Sequence, residues 1–176
     1  MLAVVVRAFG GPEVLTPQDV PEPEPGPGEV SVAVRFAGVN YADILNRRGE
    51  GLGAPPFIPG VEVSGTVLKV GDGVASLRPG QPVVAYTRGH GYAEVVTAAE
   101  LLTVPLSGEL AARPESAAIL VTVPLVLVLL QRVARVGRDE LVLLHGAAGG
   151  VGTVAGQLAR RSGPAATARH RWPGQG

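Results

Sequence analysis

Along the first hundred residues, apolar side chains recur at every second position. Leu2, Val4, Val6 and Ala8 alternate with Ala3, Val5 and Arg7; Val30, Val32, Val34 and Phe36 alternate with Ser31, Ala33, Arg35 and Ala37; Val61, Val63, Gly65 and Val67 alternate with Glu62, Ser64, Thr66 and Lys69. A period of two is the mark of a strand with one buried face. Turn chemistry stands between these runs, at Gly10-Gly11-Pro12 and at Gly71-Asp72-Gly73, and predicts a hairpin from the first strand into Val14 to Val20. Shorter strands are expected at Pro82 to Ala85 and Ala93 to Thr97. The run P-E-P-E-P-G-P-G at 21–28 lacks the donors for a regular ladder and reads as an extended connection, and 49–59 reads as a loop. Many short strands with regular turns predict a compact antiparallel barrel over Leu2 to Pro105.

The pattern then changes. Residues 117–130 read A-A-I-L-V-T-V-P-L-V-L-V-L-L, too few for the ~18 to 20 apolar residues of a membrane span and interrupted by Pro124, so a buried helix is expected. Leu141 to Leu144 follow as a continuous apolar run, the pattern of a strand buried on both faces of a parallel sheet. Val151, Val154, Ala155, Leu158 and Ala159 repeat at helical spacing beyond it. Between strand and helix lies H-G-A-A-G-G-V-G at 145–152. Gly149, Gly150 and Gly152 let the backbone turn tightly and approach a ligand, and the first free amides of the helix would face an anion. The spacing approximates G-x-G-x-x-G with Ala147 at the first glycine, which points to nucleotide binding; a structural strand-helix turn is the alternative. A phosphate-binding loop of the lysine type is excluded, because Thr153 follows Gly152 and Lys69 is the only lysine.

Composition narrows the classes. With 46% hydrophobic residues and a formal net charge of zero, the chain reads as a globular protein rather than one that binds nucleic acid or a membrane surface. No cysteine is present, so thiolate zinc sites and disulfides are out of reach. The apolar start is cut short by Arg7 and lacks the basic opening of a signal peptide, and a cytoplasmic setting is expected. His90, His145 and His170 are far apart and show no ligand spacing. Asn40 stands where a helix would begin, with Asp43 three residues later, so capping is the plain account of both.

Five segments in one order carry a family resemblance: A-F-G-G-P-E-V-L at 8–15, G-V-N-Y-A-D at 38–43, P-G-V-E at 59–62, G-Y-A-E at 91–94 and the glycine turn at 145–152. Together, over Leu2 to Ser162, the chain resembles the zinc-independent quinone oxidoreductases of the medium-chain dehydrogenase/reductase superfamily, the zeta-crystallin-like branch. The resemblance implies a GroES-like antiparallel β-barrel followed by the start of a Rossmann-type parallel-sheet domain. It also implies NADPH as cofactor and hydride transfer to a small-molecule quinone or α,β-unsaturated carbonyl. Mapped by motif, Asn40, Tyr41 and Asp43 become the expected catalytic residues. Asn40, Ala148, Gly149, Gly150, Val151 and Gly152 become the expected cofactor contacts. Zinc-dependent relatives use a cysteine and a G-H-E motif; here Asn40 lies near the first and Val61 replaces the histidine, so no catalytic zinc is expected.

Relatives also imply features that this sequence departs from. The long apolar helix usually carries a threonine and a tyrosine, whereas Leu125-Val126-Leu127-Val128 carries no polar side chain. After Ala159 a second Rossmann strand of Val and Ile is expected, and the sequence instead turns to S-G-P-A-A-T-A-R-H-R-W-P-G-Q-G. The expected organisation is a barrel at 1–112, a linking helix and first β-α unit at 113–162, and a non-homologous, disordered tail at 163–176. An incomplete reductase is one expectation; the alternative is a catalytically inactive fragment whose barrel serves as a binding or interaction module. Self-association through the apolar helix is expected in either case.

Overall fold

The computed structural model describes residues 1–138, 140–161 and 167–169. The chain forms two compact units, Met1–Leu120 and Val121–Gly176. The division falls later than the expected 112, because two 3₁₀ turns, Gly108–Ala112 and Pro114–Ala118, belong to the first unit. Ser116 and Ala117 are buried there.

The first unit is a curled antiparallel sheet. Strands β1 (Leu2–Val5) and β2 (Thr16–Asp19) form the expected hairpin, and β3 (Glu29–Ala37), β4 (Glu62–Val70), β5 (Pro82–Tyr86), β6 (Val95–Ala99) and β7 (Thr103–Pro105) form a five-stranded sheet ordered β6-β3-β4-β5-β7. Isolated bridges from Ala3 to Ala93 and from Val6 to Phe57 tie the hairpin region to the rest. Val30, Val32, Val63, Val67, Val83 and Val96 fill the concave face with Leu77, Ala85 and Ala98. Seven of these nine side chains are β-branched or leucine, which suits a pleated, buried surface.

Helix α1 (Tyr41–Arg48) leaves the end of β3. It stops at Gly49, whose φ of 80° is left-handed and whose N–H bonds Asn46 and Leu45 carbonyls, a glycine C-cap. Buried Arg47 donates to the Gly10 carbonyl at 2.6 Å, while the Gly10 N–H donates to the Arg47 carbonyl at 3.0 Å, which fixes the helix against the loop after β1.

The second unit corrects two expectations. Residues 117–130 are not one helix: a 3₁₀ turn ends at Ala118, α2 runs over Thr122–Leu127, and its continuation Val128–Val133 widens into a π-helix. Pro124 explains the late start, since a proline without an N–H fits the first turn of a helix and would break its interior. Leu125, Val128, Leu129 and Val133 are exposed, and within Thr122–Val133 only Val126 and Leu130 are buried. Val126 and Leu130 pack with Ala155 and Ala159 of α3 (Gly150–Arg161).

The second correction concerns the tail. Strand β8 (Val142–Leu144) pairs in parallel with β9 (Thr167–Arg169), in the register Val142 to Thr167, Leu143 to Ala168 and Leu144 to Arg169. The tail was expected to carry no strand. A parallel pair needs a crossover of a dozen or so residues, and α3, with its alanine- and glycine-rich buried face, supplies it. The remainder of the expected tail lies outside the described residues.

Candidate functional site

Two places collect the expected site residues, one in each unit. In the first, the chain passes from β3 through Gly38 to Asn40, the N-cap of α1. The Asp43 carboxylate accepts from the Asn40 backbone N–H at 2.8 Å through Oδ2, so the capping account of this pair holds. Asp43 does more than cap. Its Oδ1 accepts from the Gly60 N–H at 3.2 Å, and its Oδ2 accepts from the Tyr92 hydroxyl at 3.1 Å. A carboxylate only 6% exposed thus ties together the start of α1, the loop before β4 and the segment before β6. Burial, followed by the Asp43 charge and hydrogen bond, pushes the Tyr92 phenol far above its ordinary range.

The Asn40 side chain points elsewhere. Its Nδ2 donates to Glu62 Oε1 at 3.0 Å, and Glu62, the first residue of β4, is 1% exposed. Glycine is required at 38 for this arrangement. A Cβ there would stand 2.3 Å from the Ala117 carbonyl oxygen and 2.6 Å from Glu62 Cγ. Tyr41, by contrast, is 69% exposed, on the outside of the first helical turn. The three expected residues are therefore adjacent but differently placed: Asn40 half-buried, Tyr41 exposed, Asp43 buried among hydrogen-bond donors. Beside them, an apolar groove of about 450 Å³ is lined by Leu2, Val4, Val34, Ala37, Val39 and Tyr92, among others.

Glu62, Gly60 and Tyr92 received no role from the sequence. They were visible only as letters in P-G-V-E and G-Y-A-E, and nothing in a strand alternation announces that its acidic member is buried.

In the second unit the chain runs from β8 through a turn in which Gly146 has a φ of 65° and accepts from the Gly149 N–H at 3.0 Å. Helix α3 then begins at Gly150, and the Thr153 N–H reaches the Gly149 carbonyl at 2.8 Å. Gly152 is pressed onto the turn: a Cβ would lie 2.4 Å from the Gly146 oxygen and 2.5 Å from Ala147 Cα. Such contact is the reason a glycine closes a dinucleotide-binding turn. At Gly150, in contrast, a Cβ would meet nothing within 4 Å, so open space lies over the first helical turn. A cavity of about 330 Å³ sits there. His145, Gly146, Gly149, Gly150, Val151 and Gly152 line it, with Val126, Leu130 and Ala155 on its apolar side. Four of the five expected turn contacts face this cavity; Ala148 does not line it, and Gly146 and His145, which were not expected, do.

No group of three or more histidine, aspartate or glutamate side chains among the described residues could hold a metal ion. No helix among them is long and apolar enough to cross a membrane.

This geometry has counterparts in known proteins. Residues 26–111 match the alcohol dehydrogenase GroES-like domain. The quinone oxidoreductase of Rattus norvegicus is 39% identical over 167 residues, covering 93% of this chain and 50% of the relative. The chain belongs to the medium-chain dehydrogenase/reductase superfamily and is similar to its quinone oxidoreductases. The Escherichia coli quinone oxidoreductase complexed with NADPH superposes with a TM-score of 0.88 at 29% identity, over 96% of this chain and 52% of that one. A human synaptic vesicle membrane protein VAT-1 homolog-like protein superposes with a TM-score of 0.94 at 30% identity, over 98% of this chain and 56% of that one. The chain spans about half the length of the curated quinone oxidoreductases it matches. Its curled antiparallel sheet is the half-barrel of the GroES-like domain that the resemblance implied, followed by the opening of a parallel sheet.

Proposed function

We propose that the chain carries the GroES-like part and the pyrophosphate turn of a zinc-independent, NADPH-dependent quinone or enone reductase of the cytoplasm. The observation that carries this reading is the contact of Gly152 with Gly146 and Ala147 beneath an open first turn of α3. A turn that excludes a Cβ at Gly152 and leaves open space at Gly150, at the start of a helix, fits a pyrophosphate. Gly149, Gly150, Val151 and Gly152 would hold that group, with Ala148 shaping the turn from behind. The bound nicotinamide supplies hydride to the electron-poor carbon of the substrate.

The chain's own residues would then position and shield. Asn40 follows Val39, a lining residue of the first unit's groove, and Asp43 holds that stretch in place by joining the N-cap, Gly60 and Tyr92 in one network. The apolar groove beside Val39 suits a flat quinone or enone, because its lining is mostly aliphatic. Tyr41, exposed at the start of α1, would close over substrate rather than hold the fold.

Among the described residues only β8, the turn, α3 and the three residues of β9 belong to the cofactor domain. They provide phosphate contacts and little of an adenosine pocket, so this chain by itself would bind NADPH at millimolar strength or weaker, on the order of 4 kcal/mol. That shortage favours the second reading, in which the chain as given is catalytically silent and its barrel acts as a binding module. Titrating NADPH by fluorescence and then assaying its oxidation with a simple benzoquinone separates the two.

A further inference from the structure

One cavity of the first unit shares no lining residue with the groove or with the cavity at the glycine turn. It has a volume of about 310 Å³ and lies where the loop before β4 meets the hairpin of β1 and β2. Val6 and Phe57 exchange backbone hydrogen bonds at 2.8 and 3.1 Å, and the His90 N–H donates to the Ile58 carbonyl at 3.0 Å, so its frame is built before any ligand arrives. Val5, Val20, Phe57 and Ile58 give it an apolar lining. Arg7, Gln18, Asp19 and His90 give it a polar one.

The polar side chains are ordered around Arg7. Thr16 Oγ1 donates to the Val5 carbonyl at 2.9 Å, Gln18 Nε2 donates to Thr16 Oγ1 at 2.9 Å, and Arg7 donates through Nε and Nη2 to Gln18 Oε1 at 3.1 and 2.5 Å. Every partner in this relay is neutral. A guanidinium carries five N–H donors, and the relay uses two, so three remain on a cation held in place. Among the described residues neither Arg7 nor His90 forms an ion pair, although Asp19 lines the same cavity. His90 enters the lining from a φ of 68°, next to Gly89 at 120°, a left-handed backbone that histidine adopts more readily than most side chains.

We propose that this cavity binds a small monocarboxylate with an apolar body, its carboxylate on Arg7 and His90 and its body against Val5, Val20, Phe57 and Ile58. A carboxylate matches the planar fork of a guanidinium. His90 adds a ring N–H whether its imidazole is neutral or charged. Asp19 restricts the anion to a single charge, because a phosphate dianion would meet it as a stronger like charge. The proposal stands on these residues alone and does not depend on the reductase reading.

Benzoate is the probe, with benzamide as its neutral match and phenyl phosphate as the dianion. Histidine ring protons of the full chain report the site, since His90, His145 and His170 are its three histidines and His90→Gln identifies the first signal. Benzoate is expected to move the His90 signal and leave those of His145 and His170 in place, with a dissociation constant of about 1–10 mM. Arg7→Met, at an exposed position, should weaken benzoate about tenfold, and Arg7→Lys should weaken it less. Benzamide and phenyl phosphate should both bind the native chain more weakly than benzoate. Benzoate that leaves His90 unmoved, or that moves His145 instead, overturns the proposal, and this holds even where a variant does not fold. Benzamide or phenyl phosphate bound as tightly as benzoate overturns the selection of a monoanion. A folded Arg7→Met that binds benzoate as well as the native chain overturns the role of Arg7.

Discussion

The Tyr92 hydroxyl donates to Asp43 Oδ2 at 3.1 Å across a sequence separation of 49 residues. The phenol lies in a partly buried site where burial, and then the Asp43 charge, disfavour its ionised form. Its folded pKa is therefore raised above the unfolded value, which is about 10. The stability linked to this group is fully present below that pH and is lost as pH climbs through the folded value. Unfolding midpoints measured across the alkaline range should fall above about pH 10, and Tyr92→Phe should flatten the decline. In a phenol absorbance titration, Tyr92 should ionise above the ordinary phenol range.

Removing the acceptor should cost more than removing the donor. Tyr92→Phe takes one of three donors from Asp43, an expected loss of about 1 kcal/mol in urea unfolding. Asp43→Ala leaves Gly60 N–H, Asn40 N–H and the Tyr92 hydroxyl without their acceptor in a buried place, an expected loss of about 3 kcal/mol. Equal losses in the two variants would mean that Asp43 is not the hub.

The two glycines at the start of α3 should behave oppositely. Gly150→Ala adds a methyl where nothing lies within 4 Å and improves helix propensity, so a stability change between zero and a gain of about 1 kcal/mol is expected. Gly152→Ala drives a methyl into the Gly146 oxygen and Ala147 backbone, which cannot swing aside, and should destabilise the second unit by about 1–3 kcal/mol. Thermal unfolding of the two variants side by side decides it.

How much of this was legible follows from what each residue advertises. The strands could be read because valines at every second position leave little else to form, and α1 could be read because Asn40 and Asp43 carry a capping spacing. Three-residue β7 and β9 are too short to show a period. Residues 117–130 misled, since apolar content alone does not say where a helix starts; Pro124 carried that information, and it was read as an interruption rather than as a first turn. Glu62 and Asp43 look like surface residues in any alternation pattern. Their burial depends on partners 22 and 49 residues away, Asn40 and Tyr92, and no local window contains both.

The exposed apolar side chains of the second unit give a further expectation. Leu129, Val133 and Leu143 are exposed among a unit of modest size, and contiguous apolar surface promotes association. Light scattering should show mass rising with concentration, and Val133→Glu should reduce it. A sharp monomer at high concentration would remove the idea.

Metal content offers an independent check. With no cysteine and Val61 in place of a histidine, elemental analysis of the purified chain should find far less than one zinc per molecule. Stoichiometric zinc that resists dialysis would contradict the zinc-independent assignment.

The most direct test is the NADPH titration, run on the native chain and on Gly152→Ala, followed by an assay of NADPH oxidation with a simple benzoquinone. The glycine turn as pyrophosphate cradle predicts millimolar binding by the native chain, clear weakening in Gly152→Ala, and no quinone-dependent oxidation by this chain alone. Native and Gly152→Ala chains that bind NADPH equally would contradict the cradle. Micromolar binding with turnover would contradict the phosphate-only account and make the chain a working reductase.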